Sequence, residues 1–251
     1  MVQHIMNEKS LKSNFKNLIV SGCSFTHNEH HTHVTWSNTL AAWADMNITN
    51  LAVNGAGNQH IANSIILYLE KNKPVASESF ILVMWSGLER VDWITDCLTH
   101  KDADFKKHTY YYDKFNELSI NKRANPSHIV STFNNFLKYQ SQHSLTLTSW
   151  LSMMALTNYL KVNNYKFYYT AYYDIFSPAR GNYENILKDL DLTLDKNHWL
   201  NLNTNEYLGN FVLEKNLVAE DGWHPTVTGQ ETWTEQVLVP QLNKEMIIEY
   251  A

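Results

Sequence analysis

Cysteine is scarce in this chain: Cys23 and Cys97 are the only two. Two cysteines cannot build a disulfide framework, so the fold has to rest on a hydrophobic core, and a reducing compartment fits, though one bridge stays open. Charge is also sparse, at 18% of residues, and its balance of 20 Lys and Arg against 25 Asp and Glu leaves a net −5 with His neutral. That excludes the basic footprint of a general nucleic-acid binder. Long apolar runs are missing. The longest clear one, Phe80–Trp85, falls far short of the roughly 20 residues a membrane helix needs. The N-terminal stretch MVQHIMNEKSLKSNFKN is too polar for the apolar core of a signal peptide. The expectation is a soluble, cytoplasmic protein with no nucleic-acid partner and no membrane span, its oligomeric state open. Repeats and low-complexity linkers are absent as well. The 251 residues, 44% of them hydrophobic, are expected to form one domain over 1–251.

What is present is an alternation of strand and helix signals. Leu18–Val20 is a short apolar run that stops at Ser21–Gly22, as a buried strand does before a turn. Over Val34–Met46, Trp36, Leu40 and Trp43 recur at helical spacing. Leu51–Val53 predicts a second strand, closed by Asn54-Gly55-Ala56-Gly57, and Ile61, Ile65, Tyr68 and Leu69 mark a second helix. Phe80–Trp85 predicts a third strand, stopped by Ser86-Gly87. This rhythm argues for an α/β fold, a parallel sheet covered by helices. Residues 101–145 and 175–215 interrupt it and are expected as insertions near one edge of the sheet, the first holding a helix around Ile129, Phe133, Phe136 and Leu137. A longer helix is expected over about 145–162, a fourth strand at Lys166–Ala171, and a last helix through Trp233 and Val237, kinked at Pro240.

In such a sheet, ligands sit beyond the carboxyl ends of the strands. Ser24 follows the first strand and a glycine, so its hydroxyl is placed to project from a tight turn. A serine needs a base to become a nucleophile, and His224, with Asp221 to orient it, lies on the short loop Asp221-Gly222-Trp223-His224-Pro225. Glycines at the second and third strand ends let backbone N–H groups approach an oxyanion. Small polar residues at strand ends are also ordinary turn chemistry; it is the set of three that favours catalysis.

That combination resembles the SGNH (GDSL-type) hydrolase superfamily of esterases and lipases. Gly22-Cys23-Ser24 stands where the family has Gly-Asp-Ser, Gly57 (with Gly55 second) where it has an oxyanion glycine, and Asp221-x-x-His224-Pro225 with Gly229 where it has its last block. The resemblance implies a flavodoxin-like doubly wound domain, a Ser24–His224–Asp221 triad and no metal or organic cofactor. Two positions depart. Cys23 replaces a supporting Asp, and Gly87-Leu88-Glu89-Arg90 replaces Gly-x-Asn-Asp, whose Asn donates to the oxyanion. An ionised Glu89 donates nothing, so Arg90, Ser86 or a backbone N–H is expected in its place, with Arg90 equally open to a surface ion pair with Glu89 or Asp92.

Three further features admit two readings each. His27, His30, His31 and His33 follow the serine closely; a polar loop is preferred to a metal site because no paired ligand motif supports the latter. Cys23 reads as a small buried residue rather than a nucleophile. Tyr110–Tyr112, Tyr172, Tyr173 and Trp199 either cover a site or pack the insertions onto the core, and packing is preferred for most of them. The function expected is serine-dependent hydrolysis of a carboxylic ester through an acyl-enzyme, on a small-molecule or carbohydrate ester such as an O-acetyl sugar. The alternatives are a catalytically impaired binding module on the same fold, or O-acyl transfer by the same three residues.

Overall fold

A strand that is apolar at every position needs both of its faces covered. Phe80–Trp85 is such a run, and in the computed structural model it lies at the centre of the molecule. The structure describes residues 11–27, 34–88, 90–94, 107–110, 141–176, 183–193, 195–202, 204, 206–245 and 247–250. In chain order these form β1 (Leu11–Ser13), β2 (Asn17–Ser21), α1 (Ser24–His27), α2 (Trp36–Trp43), β3 (Asn47–Asn50), α3 (Asn58–Asn72), β4 (Ser79–Trp85), β5 (Val91–Ile94), β6 (Lys107–Tyr110), α4 (Gln142–Val162), β7 (Lys166–Ala171), α5 (Tyr183–Asp189), α6 (Leu208–Glu214), α7 (Val227–Trp233), α8 (Val239–Lys244) and β8 (Ile248–Tyr250).

The main sheet has the order β3-β2-β4-β7, all parallel. β4 is buried at all seven positions between β2 and β7. One group of helices pairs α3 with α4, and another joins α2 to α7, so the sheet is flanked by helices as a doubly wound α/β fold requires. Beyond β7 the sheet gains one more parallel contact, a bridge from Trp199 to Tyr169 in which Leu200 N–H donates to the Tyr169 carbonyl at 2.8 Å. Two small antiparallel pairs, β1 with β8 and β5 with β6, complete the description. Neither was foreseen, because strands of three or four residues carry too little periodicity to read.

Most elements stand where their patterns place them. Trp36 and Leu40 of α2 and Ile61, Ile65 and Leu69 of α3 are buried, and the Thr35 side chain caps α2 by accepting from Asn38 N–H. The strand expected at Leu51–Val53 lies earlier, at Asn47–Asn50. This is an edge strand with polar ends, so apolar content misplaces it; Leu51 and Val53 still donate to Val20 and Gly22 carbonyls at 2.8 and 3.2 Å. The kink expected at Pro240 is a π turn over Thr234–Leu238 with Pro240 in the first turn of α8, where its missing N–H costs least.

Within 175–215, described residues pack into the core. Trp199 packs on Tyr169 and Phe176, Tyr207 and Leu208 are buried, and Gly209 N–H donates to the Tyr172 carbonyl at 2.7 Å. A Cβ on Gly209 would lie 2.5 Å from the Tyr173 ring, so this approach needs glycine. The helix expected around Ile129–Leu137, Tyr111 and Tyr112, and most of 101–145 lie outside the described residues.

Candidate active site

β2 ends at Ser21, and the chain turns at once. Gly22 permits the turn, since a Cβ there would lie 2.3 Å from Thr26 Oγ1. Thr26 and His27 N–H then donate back to the Cys23 carbonyl at 2.9 and 3.0 Å, which closes α1 and sets Ser24 at its first position. Cys23 is a fully buried free thiol. Ser24 is 8% exposed.

The second half of the site is one turn near the other end of the sequence. A bridge between Val218 and Pro225 closes its base, Ala219 N–H donates to the His224 carbonyl at 2.7 Å, and Gly222 takes a positive φ of 75° at the tip. Asp221 Oδ1 accepts the N–H groups of Trp223 (2.9 Å) and His224 (3.0 Å), while its Oδ2 lies 2.6 Å from His224 Nδ1. His224 Nε2 lies 2.8 Å from Ser24 Oγ. A carboxylate on Nδ1 fixes the ring proton there and leaves Nε2 as the acceptor facing the serine hydroxyl. Partial burial works against ionisation of Asp221, but the two N–H donors and the imidazole outweigh it and hold the carboxyl well below the usual carboxylate range. The imidazole packs against Phe25, ring centroids 5.2 Å apart, and Phe25 in turn packs on Tyr172 and Tyr173.

Sequence reasoning passed over the residue that joins these halves. Gln230 on α7 is fully buried, accepts Trp36 N–H at 2.9 Å and donates to the Phe25 carbonyl at 3.3 Å. It therefore ties the helix after His224 to the turn that carries Ser24. A glutamine inside a helical pattern gives no hint of this by itself.

The opposite wall is the start of α3 with the chain after β4. Gly55 holds a turn at φ 72°. Gly57 N–H, expected to face an oxyanion, is already engaged: it donates to Asp92 Oδ1 at 2.9 Å, and His60 N–H donates to Asp92 Oδ2 at 2.7 Å. Ser86, expected among the substrate-binding residues, is fully buried and its hydroxyl donates to the Ala56 carbonyl at 2.8 Å, so it is withdrawn from any substrate. The Asn58 side chain accepts Ser86 N–H at 2.9 Å and donates to Ser149 Oγ at 3.2 Å, bracing α3 against β4 and α4. Arg90 is not a surface residue: it is 8% exposed, its Nη1 donates to the Ala56 carbonyl at 3.2 Å, and its Cζ lies 5.1 Å from the centre of the Tyr172 ring. Asp92 and Asn58 were not singled out as site residues, because the partners of a helix start are not written in the sequence around it.

His27 ends α1; Glu89, His30, His31 and His33 lie outside the described residues. Among the described residues no group of three or more His, Cys, Asp or Glu is arranged to hold a metal ion, and no helix is long and apolar enough to cross a membrane.

No family model matches the sequence, and no curated protein matches it. Solved structures do resemble it. The psychrotrophic esterase EstA from a Pseudoalteromonas species is 12% identical with a TM-score of 0.49, over 92% of this chain and 98% of that one. Axe2, an acetylxylan esterase from Geobacillus stearothermophilus, is 11% identical with a TM-score of 0.47, over 92% and 95%. A lipolytic protein of the G-D-S-L family from Veillonella parvula is 11% identical with a TM-score of 0.45, over 89% and 96%. At these identities and scores the functional reading rests on the site's own geometry.

Proposed function

We propose that this chain is an SGNH-type serine esterase that cleaves carboxylic esters through an acyl-enzyme. One observation carries the reading: Ser24 Oγ, the two ring nitrogens of His224 and Asp221 Oδ2 form one hydrogen-bonded relay at 2.8 and 2.6 Å, at the carboxyl end of a parallel strand. That is the geometry a weak hydroxyl nucleophile needs.

In the proposed reaction Ser24 Oγ bonds to the ester carbonyl carbon while His224 Nε2 takes its proton. Asp221 holds the imidazolium, and its low-lying carboxyl stays ionised throughout. The tetrahedral intermediate collapses, the C–O bond to the alcohol breaks, and His224 returns the proton to the leaving oxygen. Water, deprotonated by the same nitrogen, then releases the acid and restores Ser24. Ser24 N–H, at the open first position of α1, supplies one oxyanion donor, and the Arg90 guanidinium, fixed beside Ala56, is the candidate for another. No step calls on a metal or an organic cofactor. Trp223, 63% exposed between Asp221 and His224, offers a flat apolar face to a sugar ring, which favours an O-acetylated carbohydrate as the substrate.

The test is reaction with a fluorophosphonate followed by peptide mapping, in parallel with hydrolysis of p-nitrophenyl acetate. Labelling confined to Ser24 and abolished in Ser24→Ala and His224→Ala is the expected result. Because Gly57 N–H is occupied, a binding module that has lost catalysis is a competing reading beside acyl transfer by the same three residues. Absence of labelling and turnover, with acetylated oligosaccharide still bound, would select the binding module.

A further inference from the structure

The turn that carries Ser24 is too short to hold its own shape. α1 spans only Ser24–His27, and a helix of one turn fixes several residues for very few hydrogen bonds, while its last carbonyls find no partner within it. Two of those carbonyls are taken by side-chain amides from distant parts of the sequence. Gln230 Nε2 donates to the Phe25 carbonyl at 3.3 Å, and Asn50 Nδ2 donates to the Thr26 carbonyl at 2.9 Å. Each amide is anchored in turn by its oxygen: Gln230 Oε1 accepts Trp36 N–H at 2.9 Å, and Asn50 Oδ1 accepts Ala52 N–H at 3.0 Å. Asn50 closes β3, the parallel neighbour of the strand that leads into Ser24. Gln230 is fully buried on α7, and α7 is fixed to the His224 turn by Thr226, whose N–H and hydroxyl donate to the Leu217 carbonyl at 2.9 and 3.0 Å. The residue that Gln230 grips follows Ser24 directly, and its ring packs on the His224 imidazole with centroids 5.2 Å apart.

We propose that Gln230 and Asn50 are positioning residues: they hold the Ser24 turn by its carbonyls and thereby set the 2.8 Å approach of Ser24 Oγ to His224 Nε2. The inference rests on the esterase reading above. Ser24 and His224 come from opposite ends of the sequence, and Asp221 orients only the imidazole, so the serine needs a support of its own. A turn held from two sides of the chain keeps the hydroxyl in place before an ester arrives. Without either amide the turn frays, and the hydroxyl is at hydrogen-bond distance from Nε2 for a smaller share of the time. Both amides act through the backbone of the turn, so their loss falls on kcat rather than on KM.

The experiment compares wild type with Gln230→Met, which keeps the length of the side chain without its polar atoms, and Asn50→Asp, which keeps the acceptor for Ala52 N–H and loses the donor to Thr26. Each is assayed on p-nitrophenyl acetate, with the reactive sites titrated by a fluorophosphonate and thermal unfolding recorded. Gln230→Met is expected to lower kcat per titrated site by about 10–10²-fold with KM little changed. Asn50→Asp, at an exposed position, is expected to lower it by about three- to tenfold, and this variant decides the matter if the methionine variant does not fold. A merely structural role lowers the unfolding temperature and the number of titratable sites but leaves kcat per titrated site alone; that result in both variants, or a rise in KM at unchanged kcat, overturns the proposal. A fall confined to Gln230→Met overturns the part given to Asn50. A crystal structure of Gln230→Met gives a second arm that does not depend on turnover. Ser24 Oγ should lie beyond about 3.5 Å from His224 Nε2, and retention of the wild-type contact overturns the assignment. If wild type neither turns over esters nor labels at Ser24, it is the esterase reading that fails, whereas failure of the positioning role alone leaves Ser24 labelling intact.

Discussion

The two walls of the site are built in opposite ways. On one, Asp221 and His224 satisfy each other within a single turn, and the hydrogen bond from that turn to Ser24 spans the sequence. On the other, the polar groups of Ala56, Gly57, Asn58, Ser86 and Asp92 are spent on one another, across 28 to 35 positions of sequence. The first wall leaves its reactive atom pointing outward. The second closes on itself. A proton relay needs few residues and short range, while a set of donors around an oxyanion needs several strand ends to agree, and here they agree on holding the fold together.

The sharpest way to break this contrast is Asp221→Asn. An amide cannot hold the imidazolium and favours the wrong tautomer, so kcat should fall by about 10³–10⁴-fold in steady-state assays, with Ser24 still present. The same variant reports on stability. The folded carboxyl titrates below its unfolded value near 4, so its stabilising contribution is present above that pH and is lost as pH falls through the folded value. Urea unfolding between about pH 3 and 7 should therefore show a flatter acid limb in Asp221→Asn than in wild type.

The closed wall is probed by Arg90→Ala. If the guanidinium serves the oxyanion, kcat falls by about 10²-fold for every ester, with KM little moved. A rise in KM confined to anionic esters would assign Arg90 to ground-state binding instead and leave the hole without its cation.

Gln230→Leu tests what holds the open wall in register. Removing this amide leaves Trp36 N–H and the Phe25 carbonyl without it in a buried place, so stability should fall by about 2–4 kcal/mol in urea titration. The smallest effect belongs to Trp223→Ala. At an exposed position stability should shift by less than about 0.5 kcal/mol. KM for an acetylated oligosaccharide should rise severalfold while p-nitrophenyl acetate turnover is kept; equal effects on both substrates would remove the sugar-stacking role.

The legible parts of this protein are those whose signals are local. The pattern over Lys166–Ala171 predicts β7 where it stands, and Phe80–Trp85 fills all but the first position of β4, because a run apolar on both faces has nowhere to go but a sheet centre. Apolar content misplaces β3 because an edge strand need not be apolar, and the pairing of Trp199 with Tyr169 is illegible because a single bridge leaves no pattern.

What the sequence determined by itself is the alternation that makes a parallel sheet, the glycine turn that lifts Ser24 and the three-residue spacing that lets Asp221 grip His224. These follow from periodicity, from the space a Cβ would need and from the reach of one side chain. What only the tertiary structure decided is the use of the donors. Gly57 looks like an amide offered to a substrate until β5 brings Asp92 against it, Ser86 looks like a strand-end hydroxyl until the Ala56 carbonyl takes it, and Arg90 looks like a surface charge until Tyr172 and Ala56 enclose it. Hydrogen-bond partners are chosen by proximity after folding, and residue type alone does not carry that choice.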